Sequence, residues 1–310
     1  MNHPEMHWNK IGNVFDPTLL SDYGLTAALM PIVDIIDDTK SLIRVYFSPR
    51  DHQSKSQVRF FEMNLNDPFK ILKISKQPLL LPGNLGTFDD CGITLGSITN
   101  SPFGKFLYYT GWSRTATVPY CNSIGMAKVN KNGSLKRMFD GPVMTRTARE
   151  PHSCASPFVL YENNKFRMWY ASMDRWDSNH ESHPKHFYNL KYAESANGTE
   201  WKREGIVAID YEHYDEYAFG RPFILKENGI YKMWYCYRGP YYKIGYAESS
   251  NGLTWTRKDN SELGMDRSYE GWDEEMVAYP LVFDLKDTRY MLYNGNGYGK
   301  SGIGIAKLVV

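Results

Sequence analysis

Carboxylates recur at a fixed offset along this chain. If Pro31, Gly96, Pro157, Pro222 and Pro280 are taken as equivalent, the residue seven places earlier is Gly24, Asp89, Glu150, Asp215 or Asp273. The next residue is Leu25, Asp90, Pro151, Glu216 or Glu274. Two carboxylates about 5–5.5 Å apart suit a retaining cleavage of an acetal, and about 6.5–9.5 Å apart an inverting one. One of the pair has to be kept protonated by burial or a like charge while the other stays ionised. Asp89, Asp90, Glu150, Glu216 and Glu275 are the candidate catalytic groups. An acid repeated in nearly every unit nevertheless reads first as a structural device, so residues that break the repeat are the sharper functional markers.

Several such exceptions occur. Arg149-Glu150-Pro151-His152 is a string that no other unit shares. Arg221 stands where the other units have Met30, Leu95, Ser156 and Tyr279, and a buried guanidinium there is expected to face an anion, from the protein or from a substrate. Arg50-Asp51, Trp112 with Arg114, Asp174-Arg175-Trp176, Arg238 and the Asn294–Asn296 stretch fall in loops of one predicted face. With Tyr279 and Asn296 they make a surface of arginines, acids and aromatic rings that suits a polar or anionic sugar. Arg149, His152, Arg221 and Arg238 could hold a phosphate. The loop 174–187 carries His180, His183 and His186, but it has neither a cysteine ligand nor an HExxH helix, so a substrate-covering lid is expected there and no metal or other cofactor is assigned. No glycine-rich phosphate loop and no GxSxG elbow occurs.

The elements that must position these residues are strands. ASPFVLYENNKFRMWYASMD followed by NLKYAESANGTEWKREG is echoed by GRPFILKENGIYKMWYCYRG followed by YKIGYAESSNGLTWTRKD. Repetition at a fixed period signals a repeat architecture. Short β-branched and aromatic runs broken by Asn, Gly, Asp and Pro extend this unit over the whole chain, at roughly 24–78, 89–140, 150–207, 215–259 and 273–310. The last unit is one strand short. His7-Trp8-Asn9-Lys10 resembles the stretches at Trp201 and Trp255, so residues 7–12 are expected to complete the last unit and close a ring without free edges. The expected fold is all-β, a single five-bladed β-propeller of four-stranded antiparallel blades over residues 1–310. At period 2, Met168 and Tyr170 face one side of their strand and Trp169 the other, which assigns them to packing between blades. Asn197-Gly198-Thr199 reads as a hairpin turn.

Composition narrows the partners. A net charge of +1 over 310 residues gives no footprint for nucleic acid or an anionic membrane. There is no apolar run of the roughly 20 residues a membrane span needs, and no basic start leading into an apolar core. The four cysteines, Cys91, Cys121, Cys154 and Cys236, are isolated, as expected of reduced thiols in a cytoplasmic protein.

This layout, with strings such as YAESxNGxxW and FDDCGI, resembles the five-bladed β-propeller glycosidase superfamily that holds glycoside hydrolase families 43, 32, 68 and 130. The resemblance to family 43 implies an Asp in blade 1, an Asp in blade 2 and a Glu in blade 3 at the starts of the innermost strands. Asp89 and Asp90 fill the blade 2 place, and Glu150 lies near that of blade 3. Blade 1 departs from the pattern: Thr26-Ala27-Ala28-Leu29-Met30 carries no carboxylate, and the nearest are Asp22 and Asp34. The resemblance implies a carbohydrate or sugar-phosphate substrate and three readings: a glycoside hydrolase-type enzyme, a phosphate-dependent phosphorylase like those of family 130, or a non-catalytic glycan or nucleotide-sugar binder in intracellular polysaccharide synthesis.

Overall fold

The structure is a computed structural model describing residues 6–178, 184–259 and 261–310. The first strand, β1 (His7–Phe15), leads through a 3-10 turn at Pro17–Tyr23 into blade 1, which is β2 (Thr26–Asp37), β3 (Leu42–Arg50), β4 (Arg59–Asn64) and β5 (Asp67–Ile74). Blade 2 is β6 (Gly92–Ser101), β7 (Gly104–Ser113), β8 (Cys121–Val129) and β9 (Leu135–Arg137). Blade 3 is β10 (Cys154–Glu162), β11 (Lys165–Asp177), β12 (Lys185–Ser195) and β13 (Val207–Ile209). Blade 4 is β14 (Tyr217–Glu227), β15 (Ile230–Arg238), β16 (Tyr242–Ser249) and β17 (Thr256–Arg257). Blade 5 is β18 (Ala278–Leu285), β19 (Thr288–Asn294) and β20 (Ile303–Val309), completed by β1. Each blade is an antiparallel meander with its first strand innermost, and β1 pairs with β20 in the register Trp8↔Leu308. The ring closes as expected, with a longer closing strand than residues 7–12.

Strand periodicity explains how blades stack. Met168 and Tyr170 point into a core shared with Phe106, Tyr108 and Met126 of blade 2, while Trp169 points into one shared with Ile224 and Met233 of blade 4. The residue at the Trp169 position also donates a hydrogen bond outwards, to the next blade along from blades 1, 2 and 3 and to the crossover leading to blade 5 from blade 4. Tyr46 reaches the Gly133 carbonyl at 3.4 Å, Tyr108 that of Gly198 at 3.0 Å, Trp169 that of Gly252 at 2.8 Å and Trp234 that of Leu263 at 2.9 Å. Edge-on aromatic contacts follow the same rule: Tyr108 meets Trp201, Trp169 meets Trp255, and Trp234 meets Trp8. Trp8 thus stands where Trp201 and Trp255 stand. The Asn197-Gly198-Thr199 stretch is a turn, with Ser195 Oγ accepting from the Gly198 amide at 2.8 Å.

Near the axis the inner strands bend. Ala27, Met30, Ser156, Ala218, Arg221 and Tyr279 all have φ between +51° and +58°, a region that costs ordinary side chains energy. Register shifts in the pairings of β2, β10, β14 and β18 mark the accompanying bulges. These kinks fall in the first residues of four of the five inner strands.

Candidate active site

The repeated acids are braces. Asp89 is fully buried; its Oδ2 accepts from Arg137 at 2.7 Å and from the Tyr109 hydroxyl at 3.1 Å, and its Oδ1 from Thr87. Glu150 accepts from Tyr170 at 3.0 Å, Ser172 at 3.1 Å and Arg203 at 3.3 Å. Glu216 takes two hydrogen bonds from Arg257, at 2.8 and 2.6 Å, and two backbone amides. Asp273 pairs with Lys10 at 2.7 Å and Tyr293 at 3.2 Å. In blade 4 the equivalent tyrosine, Tyr235, bonds Asp259, which shares Arg257. Every set joins the crossover to its blade's second strand and outer edge. Blade 1 has Gly24 in place of the acid and Phe47 in place of the tyrosine, packed 4.9 Å from the Phe15 ring. The acid and its phenol partner are lost together.

These bonds decide the protonation behaviour. Burial pushes the Asp89 carboxyl up, against the pull of Arg137. Burial acts on Glu216 in the same direction, but the Arg257 hydrogen bonds overcome it and hold the carboxyl below its usual range. Asp89, Glu150 and Glu216 are each paired with an arginine of their own blade.

Arg221 sits on the axis and is 2 % exposed. Among the described residues no carboxylate bonds its guanidinium. One terminal nitrogen donates to the carbonyls of Leu95 (3.0 Å) and Gly96, the other to that of Pro31 at 2.7 Å. Burial lowers its pKa to about 10. The guanidinium thus rests on three carbonyl oxygens of the inner strands, while its Nε is buried without a hydrogen-bond partner among the described residues. Arg221 ties blade 4 to blades 1 and 2 beneath the funnel.

Above it the funnel carries cations and phenols. Arg238 donates to the Tyr298 hydroxyl at 3.2 Å and lies 5.5 Å from the Tyr217 ring centre and 5.6 Å from that of Tyr242. Lys185 lies 3.6 Å over the Tyr217 ring. Tyr298 packs 6.4 Å from Tyr279, and Arg50 lowers the Tyr279 pKa against the stronger upward push of burial. His186 is enclosed by Tyr120, Trp176, Tyr188 and Tyr217. The Nε atoms of Arg50 and Arg238 are buried without a hydrogen-bond partner among the described residues.

Burial, together with Arg238 and Lys185, lowers the His186 pKa from 6.5 to about 4. The unfolded chain therefore binds more protons than the folded one between those values. The contribution of a neutral His186 to stability is fully present above about pH 6.5 and is lost as pH falls towards 4. Urea midpoints measured between about pH 7 and 5 should fall in the wild type and flatten in His186→Phe.

Asp90 differs from the other acids. Its Oδ2 accepts from the Gly86 amide at 3.0 Å, whereas its Oδ1 is the buried carboxylate oxygen with no partner among the described residues. It stands two residues before Gly92, which bridges to Ser56, which bridges in turn to Arg50. Trp112 donates to Ser56 Oγ beside this point, at 3.1 Å.

The remaining candidates are scattered over the rim. Asp51 caps its own hairpin through the amides of Gln53 and Lys55, and Arg114 donates to the Gln53 carbonyl. Asp174 and Arg175 form an exposed ion pair, with Arg175 3.8 Å over the Phe187 ring. Arg149 is exposed and His152 half-buried. Asn296 accepts from the amides of Glu275 and Met276, and Glu275 is exposed. The two ends of the expected lid are sheet: β11 runs to Asp177 and β12 starts at Lys185, with Trp176 paired to His186. His180 and His183 lie outside the described residues, and no metal-binding cluster occurs among the described ones. Tyr120, Lys185, Tyr188, Tyr217, Tyr242 and Tyr298 escaped the sequence reading. Three of them, Lys185, Tyr217 and Tyr242, begin strands next to predicted site loops, and that position was the available signal.

No helix among the described residues is long and apolar enough to cross a membrane. No family model matches the chain. Among solved structures, a glycoside hydrolase aligns with a TM-score of 0.71 at 15 % identity, covering 98 % of this chain and 91 % of its own. The α-L-arabinofuranosidase PaAbf62A from Podospora anserina aligns at a TM-score of 0.68 and 12 % identity, over 99 % and 98 % of the two chains. The fold is that of the five-bladed glycoside hydrolase propellers. A 1,2-beta-oligomannan phosphorylase of Thermoanaerobacter sp. is 31 % identical over 132 residues, 40 % of this chain and 44 % of its own. “Uncharacterized protein Rv1502” of Mycobacterium tuberculosis is 38 % identical over 303 residues, 98 % of this chain and 99 % of its own. With that identity along nearly the whole of both chains, the protein belongs to the family of Rv1502.

Proposed function

We propose that this protein is a carbohydrate-active enzyme that works at the funnel by phosphorolysis. The observation that carries the reading is the inventory of free groups. The clamps engage Asp89, Glu150, Glu216 and Asp273, blade 1 has no acid at the start of its inner strand, and Asp90 retains an unpartnered, buried carboxylate oxygen. Hydrolysis by paired carboxylates needs two such groups. Phosphorolysis needs one acid and a place for phosphate, which Arg50, Arg238 and Lys185 can supply. The partial likeness to an oligomannan phosphorylase favours the same reading, and a cytoplasmic setting would supply the phosphate.

In this reading a phosphate oxygen attacks the anomeric carbon as the glycosidic C–O bond breaks. The Asp90 carboxyl gives its proton to the departing oxygen and is reprotonated by the proton that the phosphate loses. The products are a glycosyl phosphate and a glycan shortened by one unit. Phosphorus NMR of the protein mixed with an oligosaccharide panel, 1,2-β-oligomannan included, tests this. A glycosyl phosphate resonance that appears only with added inorganic phosphate is expected. Free sugar released without phosphate would establish hydrolysis instead, and glycan bound and recovered intact would establish a binding protein.

A further inference from the structure

A second concavity opens beside the funnel on the same face. It is a cleft of about 390 Å³ on blade 4, lined by His213, Asp215, Tyr237, Tyr241, Lys243 and Ser261 among others, within the size range of small-ligand sites. We propose that this cleft binds the part of an oligosaccharide that extends beyond the unit held in the funnel, so that chain length is read on blade 4. The proposal rests on the carbohydrate reading above.

Three observations carry it. The cleft neighbours the funnel along the chain: Tyr237 and Gly239 flank Arg238 at the end of β15, and Asp215 and Glu216 lead directly into Tyr217 at the start of β14. The Arg238–Tyr217 rung and the cleft lining are thus one residue apart on both strands. Its lining also combines rings with hydrogen-bonding groups of both signs, which suits a hydroxylated, uncharged chain. Glu212, Asp215, Glu216 and Asp259 face Lys243, Arg257 and Lys258, leaving no cationic excess for a polyanion. At the back, Arg257 is closed by Glu216 and Asp259, while Lys243 lies 5.2 Å over the Tyr237 ring and Arg267 stacks 4.0 Å over that of Tyr241. Finally, Tyr214, between the lining residues His213 and Asp215, is fully exposed, an aromatic face free to stack on a sugar.

The test is calorimetric titration of oligosaccharides of graded length, 1,2-β-oligomannan included, into the wild type, Tyr214→Ala and Tyr241→Ala. Wild-type affinity should rise with length. Each variant should lose about 3–10-fold on the longer chains, the usual worth of one ring contact, and nothing on the shortest that binds. Because Tyr214 is fully exposed, its variant separates binding from folding. Affinity independent of length in the wild type, or equal length dependence in wild type and variants, would overturn this proposal and leave the funnel reading standing. Failure of every oligosaccharide to bind would overturn both.

Discussion

Asp90→Asn lowers phosphate-dependent turnover by about 10²–10⁴-fold, the usual contribution of one general acid, while phosphate and glycan still bind. The substitution keeps an oxygen for the Gly86 amide that Asp90 now caps and removes only the proton that the leaving group needs. The loss should therefore sit in kcat rather than in KM. A glycosyl fluoride, whose leaving group departs with little protonation, should recover most of the lost rate. Steady-state kinetics on both substrates check this. A variant with wild-type kcat on the natural linkage, or one equally slow on the fluoride, would remove Asp90 from the role of acid.

Arg257→Met has its effect on folding. It leaves Glu216 and Asp259 without their shared cation, Glu216 being buried and Asp259 half-buried against it. Removing one partner of a buried pair costs about 3–5 kcal/mol, so a large fall in the urea midpoint is expected. Replacing Glu216, Arg257 and Asp259 together with apolar side chains should cost less than Arg257→Met alone, because no charge is then stranded. Blade 1 shows that an apolar solution exists: Phe47 packs with Phe15 and Phe61 where other blades place a phenol and an acid. Turnover per folded molecule on the shortest substrate should hardly change. Lost turnover with an unmoved midpoint would instead identify Glu216 as a working acid.

The same clamps explain why the fold was legible in the sequence and the site only in part. Strand alternation, turns and the recurring aromatic triplet are local signals, so five blades could be laid out and Trp8 matched with Trp201 and Trp255. The partners of the repeated acids are not local. Arg137 lies 48 positions from Asp89, and Lys10 lies 263 from Asp273. One clue was within reach: Gly24 and Phe47 depart from the pattern in the same blade. The bonds of Arg221 to the carbonyls of Leu95, Gly96 and Pro31 were not legible, because backbone carbonyls turned inwards by bulges leave no trace in side-chain identities. The funnel tyrosines were missed for a related reason. Tyr120, Tyr188 and Tyr298 converge from three blades and occupy no shared repeat position.

Ring closure by β1 has a consequence for biosynthesis. Its pairing partner β20 follows some 290 residues later, about 15–60 s at translation rates of about 5–20 residues per second. During that interval β1 has no strand to pair with. Its last residue, Phe15, stacks 4.4 Å from Phe61 and 4.9 Å from Phe47, both in blade 1, the first blade to leave the ribosome. The earliest blade can thus moor the N-terminal strand by its apolar end and shield it from other nascent chains, holding it in place until the final strand arrives to zip against it.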